Sequence, residues 1–482
     1  SDPVYLGIIS MEEAELRLKL YSEVIARESK LPFVHIRDDT SINDIRKDKP
    51  IFFSVVMSIV SKVMTEEQTT RDTVMKLDSF VINLITIQIF KLNNKSIEVI
   101  EALVTLCMWY NFLEWSNKTR YHLFNYICCC FLKDLSPASV NRVFGMFNDE
   151  APNKSQAPRR SLLEQAENGP RLILLVYISA LNISIYLKQT IHVRWSFITE
   201  NAIEDIKQNI DDLKARLETS KNTNDNITSL RLQIEGCETL ITFSKLNHLL
   251  EKIHIHLHEI KDIKYDEALS NYKLAEQYIQ GLIDIYQKEL DEVFKGIPNS
   301  RPRVLAFYYS VEAYLHQFTL NDYIQFETIE KSAEPPDNVT KAFLRCYECC
   351  TKSLMEFLKL SDTLIASLPL FHISRIIYIV GVLILKLRYA AVLIPSFHHF
   401  ATVTDGTIDL VKQVSTSLES ASRKYPYNNG LYKLQYVMAL FGQTYATRVT
   451  ELAERMEHNE QHAKMNKNIQ FNTQLMYNED VN

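Results

Sequence analysis

An all-α fold, built as one large multi-helix domain, is predicted by three observations. Apolar residues recur at spacings of three and four along nearly the whole chain, and no long strand-like alternation interrupts them. Ten glycines in 482 residues leave little material for β-turns or phosphate loops, where average proteins carry roughly 7%. At 46% hydrophobic, the chain can bury a large core. Residues 92–132 look like the organising stretch. Ser96 suits a helix start, and Ile97, Ile100, Val104, Met108 and Trp109 follow at helical spacing, with Glu101 as the polar exception. A polar turn at 111–118 holds Trp115, and a second buried helix restarts at Thr119 with Tyr121, Phe124, Ile127, Cys128 and Phe131 on one side.

Taken in order, the chain opens with an extended lead-in. Ser10 followed by Glu13 reads as a capping box for a helix reaching Ile25. Ser41 caps a short helix that stops before Pro50, and Pro50 suits the first turn of Ile51–Met64, apolar on nearly every side. Arg71–Phe90 leads into the hairpin. Residues 148–170 form a long polar break with three prolines, and 218–229 (ETSKNTNDNITS) reads as a mobile loop. Helices are predicted over Leu172–Leu187, Trp195–Leu217, Leu230–Leu257, Tyr265–Phe294, Arg303–Phe326, Val339–Leu360, Leu368–Ile394, Thr407–Arg423 and Leu431–His458. The domain is expected to occupy residues 1–460, with 461–482 a polar, disordered tail.

Charge is near balance, 53 Lys plus Arg against 59 Asp plus Glu, net −6. Such a chain is no strong nucleic-acid or membrane-surface binder by itself. The eight cysteines sit inside apolar helical patterns and lack the spacing of a disulfide framework, so a reducing compartment is expected. Leu172–Leu187 is too short to span a bilayer, and Ile376–Pro395 carries Lys386 and Arg388, so both read as core helices and no membrane partner is expected.

Two constellations bear on chemistry. Cys346, Cys349 and Cys350 lie on a helical face shared with Phe343, Tyr347, Leu354 and Phe357, which favours core packing over a metal site. His254 and His258 share a face, as zinc ligands can, but no third ligand is evident and the HExxH pattern is missing. No nucleophile elbow, phosphate loop or dinucleotide fingerprint occurs, so catalysis is not expected. Between Leu370 and Ile394 a different pattern appears. At 100° per residue, His372, Arg375, Tyr378, Val382, Lys386 and Tyr389 fall within about 60° of one line. Ile373, Ile377, Ile384 and Ala391 occupy the other side, with Arg388 an exception. The stripe is either a solvent edge where Arg375 and Lys386 snorkel, or an inner wall that receives a small anion with an apolar body.

Several stretches resemble the regulatory region of fungal binuclear zinc-cluster transcription factors, specifically their weak-acid-resistance branch. The likeness rests on DPVYLGIIS at 2–10, KPIFFSVVMSIVS at 49–61, KLDSFVINLITIQIF at 76–90 and NNKSIEVIEALVTLCMWYNFLEWSNKTRYHLFNYICCC at 93–130. It continues in LLVYISALNISI at 174–185, RPRVLAFYYSVEAYLHQF at 301–318 and SLPLFHISRIIYIVGVLILKLRYA at 367–390. The six-cysteine zinc cluster of such factors is not in this sequence, so zinc and direct DNA contact are expected only in an upstream segment. What the resemblance implies is a regulatory domain without a cofactor of its own, part of a nuclear homodimer. Such a factor senses weak organic acid anions such as sorbate and activates an anion-exporting ABC transporter. The competing expectation is a helical scaffold for coregulators with no small-molecule ligand. If an acid binds at the stripe, Arg375 is the expected carboxylate partner, Tyr378 and His372 are donors, Lys386 or Tyr389 is the fallback, and Val382 lines the tail.

Overall fold

The computed structural model describes residues 2–28, 36, 40–112, 120–135, 168–186, 190–219, 224–266, 272–326, 334–451 and 454. Helices carry the fold, and no strand occurs among the described residues. In chain order they are α1 (Met11–Leu20), α2 (Ile42–Asp48), α3 (Pro50–Ile59), α4 (Arg71–Thr86), α5 (Ile97–Met108), α6 (Tyr121–Asp134), α7 (Gly169–Tyr186) and α8 (Phe197–Thr219). There follow α9 (Asn224–Asp266), α10 (Tyr272–Lys295), α11 (Pro302–Phe326), α12 (Asp337–Leu358), α13 (Asp362–Ser367), α14 (Leu370–Ile377), α15 (Leu385–Leu393) and α16 (Thr407–Lys424). A last helix, α17, covers 429–451. One contiguous cluster of buried side chains runs from Ile9 to Met438.

Local chemistry sets the helix starts. At α2 the expected Ser41 cap forms and Asp44 reciprocates it, and Pro50 occupies the first turn of α3. At α1 only half of the predicted box forms. Ser10 accepts from the Glu13 N–H, but the Glu13 carboxylate turns inward to Arg17 and Thr69. The buried guanidinium is the stronger partner, because its charge has no water to fall back on. Arg17 is fully enclosed and also donates to the Met57 carbonyl and Ser61 Oγ, which ties α1 to α3. Glu98 of α5 accepts from the N–H groups of Ile51 and Phe52 at the start of α3. The polar exception in the α5 stripe is explained likewise: Glu101 is 2% exposed and takes Lys49 Nζ at 2.7 Å and Asn168 Nδ2 at 3.2 Å.

The hairpin α5–α6 is present, with α6 beginning at Tyr121; Thr119 and the turn holding Trp115 lie outside the described residues. It is not the hub, however. That place belongs to α7, which packs against α5, α6, α8, α9 and α14. Its start takes in Gly169 and Pro170, which the expected break at 148–170 had included; 148–167 lie outside the described residues. Residues 224–229 are helical, as the start of α9, so the loop expected at 218–229 is corrected there. Low helix propensity costs only tenths of a kcal/mol per polar residue, and α8 packed along α9 overrides it. Tyr265, expected to open the next helix, instead lies near the end of α9. The tail 461–482 lies outside the described residues.

Among the described residues three helices reach the length and apolarity needed to cross a membrane: Arg71–Lys91, Gly169–Tyr186 and Leu370–Leu393. The second is apolar because it is interior, with 89% of its window buried by other helices. The third is not the continuous helix expected over 368–394. Leu368 is extended, as the residue before a proline tends to be, and Pro369 caps α14. Beyond α14 the chain widens into a π turn, Tyr378–Ile384, before α15.

Lys62, in the 3₁₀ turn Val60–Val63, is 2% exposed and donates to the Leu368 carbonyl at 3.0 Å. Burial alone lowers its pKa to about 7. The unfolded chain keeps that proton to about pH 10.4, so this contribution to stability is complete above that pH and is lost as pH falls toward 7. In urea unfolding at pH 7 and 9, wild-type stability should rise relative to Lys62→Met by up to about 1.4 kcal/mol per pH unit. Parallel profiles for the two proteins would show that Lys62 stays charged in the fold.

Candidate functional site

The helix α14 and its π turn lie against α7, α11 and α12. From it project His372, Arg375 and Tyr378, which are 1%, 3% and 5% exposed. The solvent-edge reading of the stripe therefore fails for these residues, and they face inward. Arg375 Nη2 lies 2.6 Å from His372 Nδ1, which must accept and so leaves the ring proton on Nε2. Among the described residues neither His372 Nε2 nor Arg375 Nη1 finds a hydrogen-bond partner. The guanidinium carbon sits 4.9 Å from the centroid of Phe307. Tyr378 donates to Gln317 Oε1 at 2.5 Å.

Aromatic rings close the surroundings. Tyr186 and Tyr314 lie 5.1 and 5.8 Å from the Tyr378 ring, and Phe371 and Phe243 lie 4.3 and 5.5 Å from the His372 ring. Burial, then the nearby charges of Arg375 and Arg303, hold His372 well below the usual histidine range. Burial also draws Arg375 down to about 10 and pushes Tyr186 up to about 12. At neutral pH the imidazole and phenols are therefore neutral and the guanidinium is charged. Among the described residues no carboxylate pairs with it. A buried cation flanked by unused donors and rings is suited to a carboxylate with a flat or apolar body.

The remaining stripe residues separate from this cluster. Val382 is half-buried within the π turn, and Lys386 and Tyr389 are half-buried on α15. Each residue of a π turn advances by less than the 100° of an α-helix, so positions after Tyr378 fall behind the predicted line. The straight stripe is therefore corrected to an inward cluster at 372–378 and a separate face beyond it. Arg388, the cation on the aliphatic side, reaches the Ala401 carbonyl and Asp405 Oδ1.

Sequence reasoning missed the opposing wall. Phe307, Ser310, Tyr314 and Gln317 of α11 follow at spacings of three and four, a periodicity that marks one face. Ser310 Oγ is 3.5 Å from Tyr186 Oη, joining α11 to α7. Of the other constellations, Cys346 donates to the Ala313 carbonyl, and burial pushes the Cys349 and Cys350 thiols up, away from reactivity. His254 Nδ1 lies 2.6 Å from Tyr314 Oη and its ring 4.3 Å from that of His258. Among the described residues no three His, Cys, Asp or Glu side chains come together as a metal-binding group.

The all-helical body is consistent with a regulatory domain of a transcription factor. The chain belongs to the WAR1 C-terminal domain family, whose model matches residues 1–479. It is 53% identical over 459 residues to Weak acid resistance protein 1 of Saccharomyces cerevisiae, covering 94% of this chain and 47% of the relative. It is 28% identical over 459 residues to Transcriptional regulator WAR1 of Candida albicans, covering 94% of this chain and 43% of that one. The chain thus spans under half the length of these relatives. No solved structure matches it.

An unpaired buried charge destabilises the fold that holds it. Arg375→Met is expected to raise unfolding free energy by about 1–3 kcal/mol, since apolar replacement of buried charge is often stabilising. Urea denaturation checks this, and a loss of several kcal/mol would mean the charge already has a partner of opposite sign.

Proposed function

We propose that this chain is the ligand-responsive regulatory domain of a transcription factor, and that its ligand is a weak organic acid anion of sorbate's kind. The observation that supports it most is the buried, charged Arg375 with an unused donor between Tyr378, His372 and several aromatic rings. The relatives' names, one a weak acid resistance protein and the other a transcriptional regulator, agree with it. In this reading residues 1–460 act as one unit and need no cofactor, and 461–482 form a polar tail. DNA contact belongs to a zinc-cluster segment that this sequence does not contain, in a nuclear homodimer that recruits coregulators. The output is transcription of an ABC transporter that expels the anion.

An acid of sorbate's size offers few heavy atoms, so its binding free energy should be roughly −4 to −6 kcal/mol, or a dissociation constant of about tens of micromolar to a millimolar. Weak affinity suits a sensor of millimolar stress, and the switch cannot exceed the ligand's differential affinity for two conformations.

Sorbate titration should raise the melting temperature of the chain in a concentration-dependent way. Arg375→Ala should weaken binding by about 2–5 kcal/mol and abolish the rise. Lys386→Ala, beyond the π turn, should keep it. A flat wild-type titration, with coregulators captured regardless of acid, would favour the scaffold reading. In a separate low-salt gel shift the chain should not retain promoter duplexes, given a net charge of −6; sequence-dependent retention would reveal a DNA reader within it.

A further inference from the structure

The π turn Tyr378–Ile384 begins at the proposed ligand donor and has Gly381 at its middle. A Cβ built on Gly381 would lie 2.3 Å from Cζ and 2.4 Å from Cε2 of Phe441, so a side chain there would push that half-buried ring aside. Phe441 belongs to α17. The first half of this helix is anchored in the core by Leu431, Leu434 and Met438. From residue 439 onward it is exposed except for a narrow, half-buried stripe at Phe441, Tyr445 and Val449. Phe441 and Tyr445 pack against the main core. The distal half of α17 is therefore held down along one line, and the best-fitted contact on that line is the Gly381 slot.

A π turn holds an extra residue that the α-helical segments on either side do not need, and such turns are often found at functional positions. Tyr378 is tied to Gln317 in the structure. A carboxylate that accepts from Tyr378 and Arg375 competes with Gln317 for the same hydroxyl. Losing Gln317 removes the side-chain tie on the first residue of the π turn, which is then free to relax toward α geometry. Regular α geometry rotates the downstream residues, so that Gly381 no longer faces Phe441 and a branched neighbour, Val380 or Val382, meets the ring instead.

We propose that the π turn is a ligand-driven latch: an acid anion at Arg375 and Tyr378 moves the Gly381 slot from under Phe441 and releases the distal half of α17. The latch rests on the ligand reading for its trigger, while the Gly381–Phe441 contact stands independently of it. Release would change what α17 presents to whatever the rest of the transcription factor places beside it.

Amide hydrogen exchange over 439–451, followed by mass spectrometry on the 482-residue chain, tests both parts. Sorbate at saturating thermal shift should speed exchange of this segment at least tenfold in the wild type. Gly381→Ala should produce the fast exchange without ligand, because its methyl group collides with Phe441. Phe441→Ala should also exchange fast, should still show the sorbate thermal shift, and should show no further acceleration. The double variant should match Phe441→Ala, since the methyl group then has no ring to meet. Wild-type protein that binds sorbate with unchanged exchange over 439–451 overturns the latch, as does additivity of the two substitutions. Absence of any sorbate thermal shift overturns the ligand reading and with it the trigger, and the variants then decide the contact alone.

Discussion

Three consecutive carbonyls at the end of α13 hold the molecule together. Pro369 offers no N–H, and the extended Leu368 ends the helix, so the last carbonyls of α13 are left without helical partners. Each is taken by a side chain from elsewhere in the chain. Ala366 accepts from Asn428 Nδ2, Ser367 from Trp109 Nε1 and Leu368 from Lys62 Nζ, at 3.0, 2.9 and 3.0 Å. The N-terminal helices, the α5–α6 hairpin and the start of α17 therefore meet at one short segment, and α14 departs from it with a defined direction. Asn428 also donates to the Lys62 carbonyl, and Asn111 is joined to Tyr427 and Asn429, which closes the junction on both sides. The inward aim of His372 and Arg375 depends on this anchoring.

Buried charge in this protein is handled in three ways, and the differences separate structure from function. Arg17 and Glu101 are paired with opposite charges and further hydrogen-bonded, so their burial stabilises the contacts they make. Lys62 has one carbonyl and, among the described residues, no carboxylate beside it, and burial brings its pKa to about 7 so that it can shed the charge. Arg375 does neither: at about 10 its pKa keeps it charged, and its neighbours are neutral imidazole, phenol and phenyl groups. An arrangement that weakens the fold at one point is intelligible if something else completes it.

The helical class, most helix positions and the mutual nearness of His372, Arg375 and Tyr378 were legible in the sequence, because spacings of three and four on one segment translate directly into a shared face. The periodicity could also predict Pro50 at a first turn and the cap at Ser41, since those depend on residues within one turn of each other. What only the tertiary structure decided involves partners far apart in the chain. Glu13 left its predicted cap because Arg17 is buried by Met57, Ser61 and Thr69, forty to fifty residues away, and the stripe broke at the π turn where Gly381 accommodates Phe441 of a helix sixty residues later. Whether Arg375 faced water or the interior was likewise open along the sequence. The same guanidinium can snorkel or be buried, and the choice lay with α7 and α11, whose Tyr186, Phe307 and Gln317 occupy the side toward which it points.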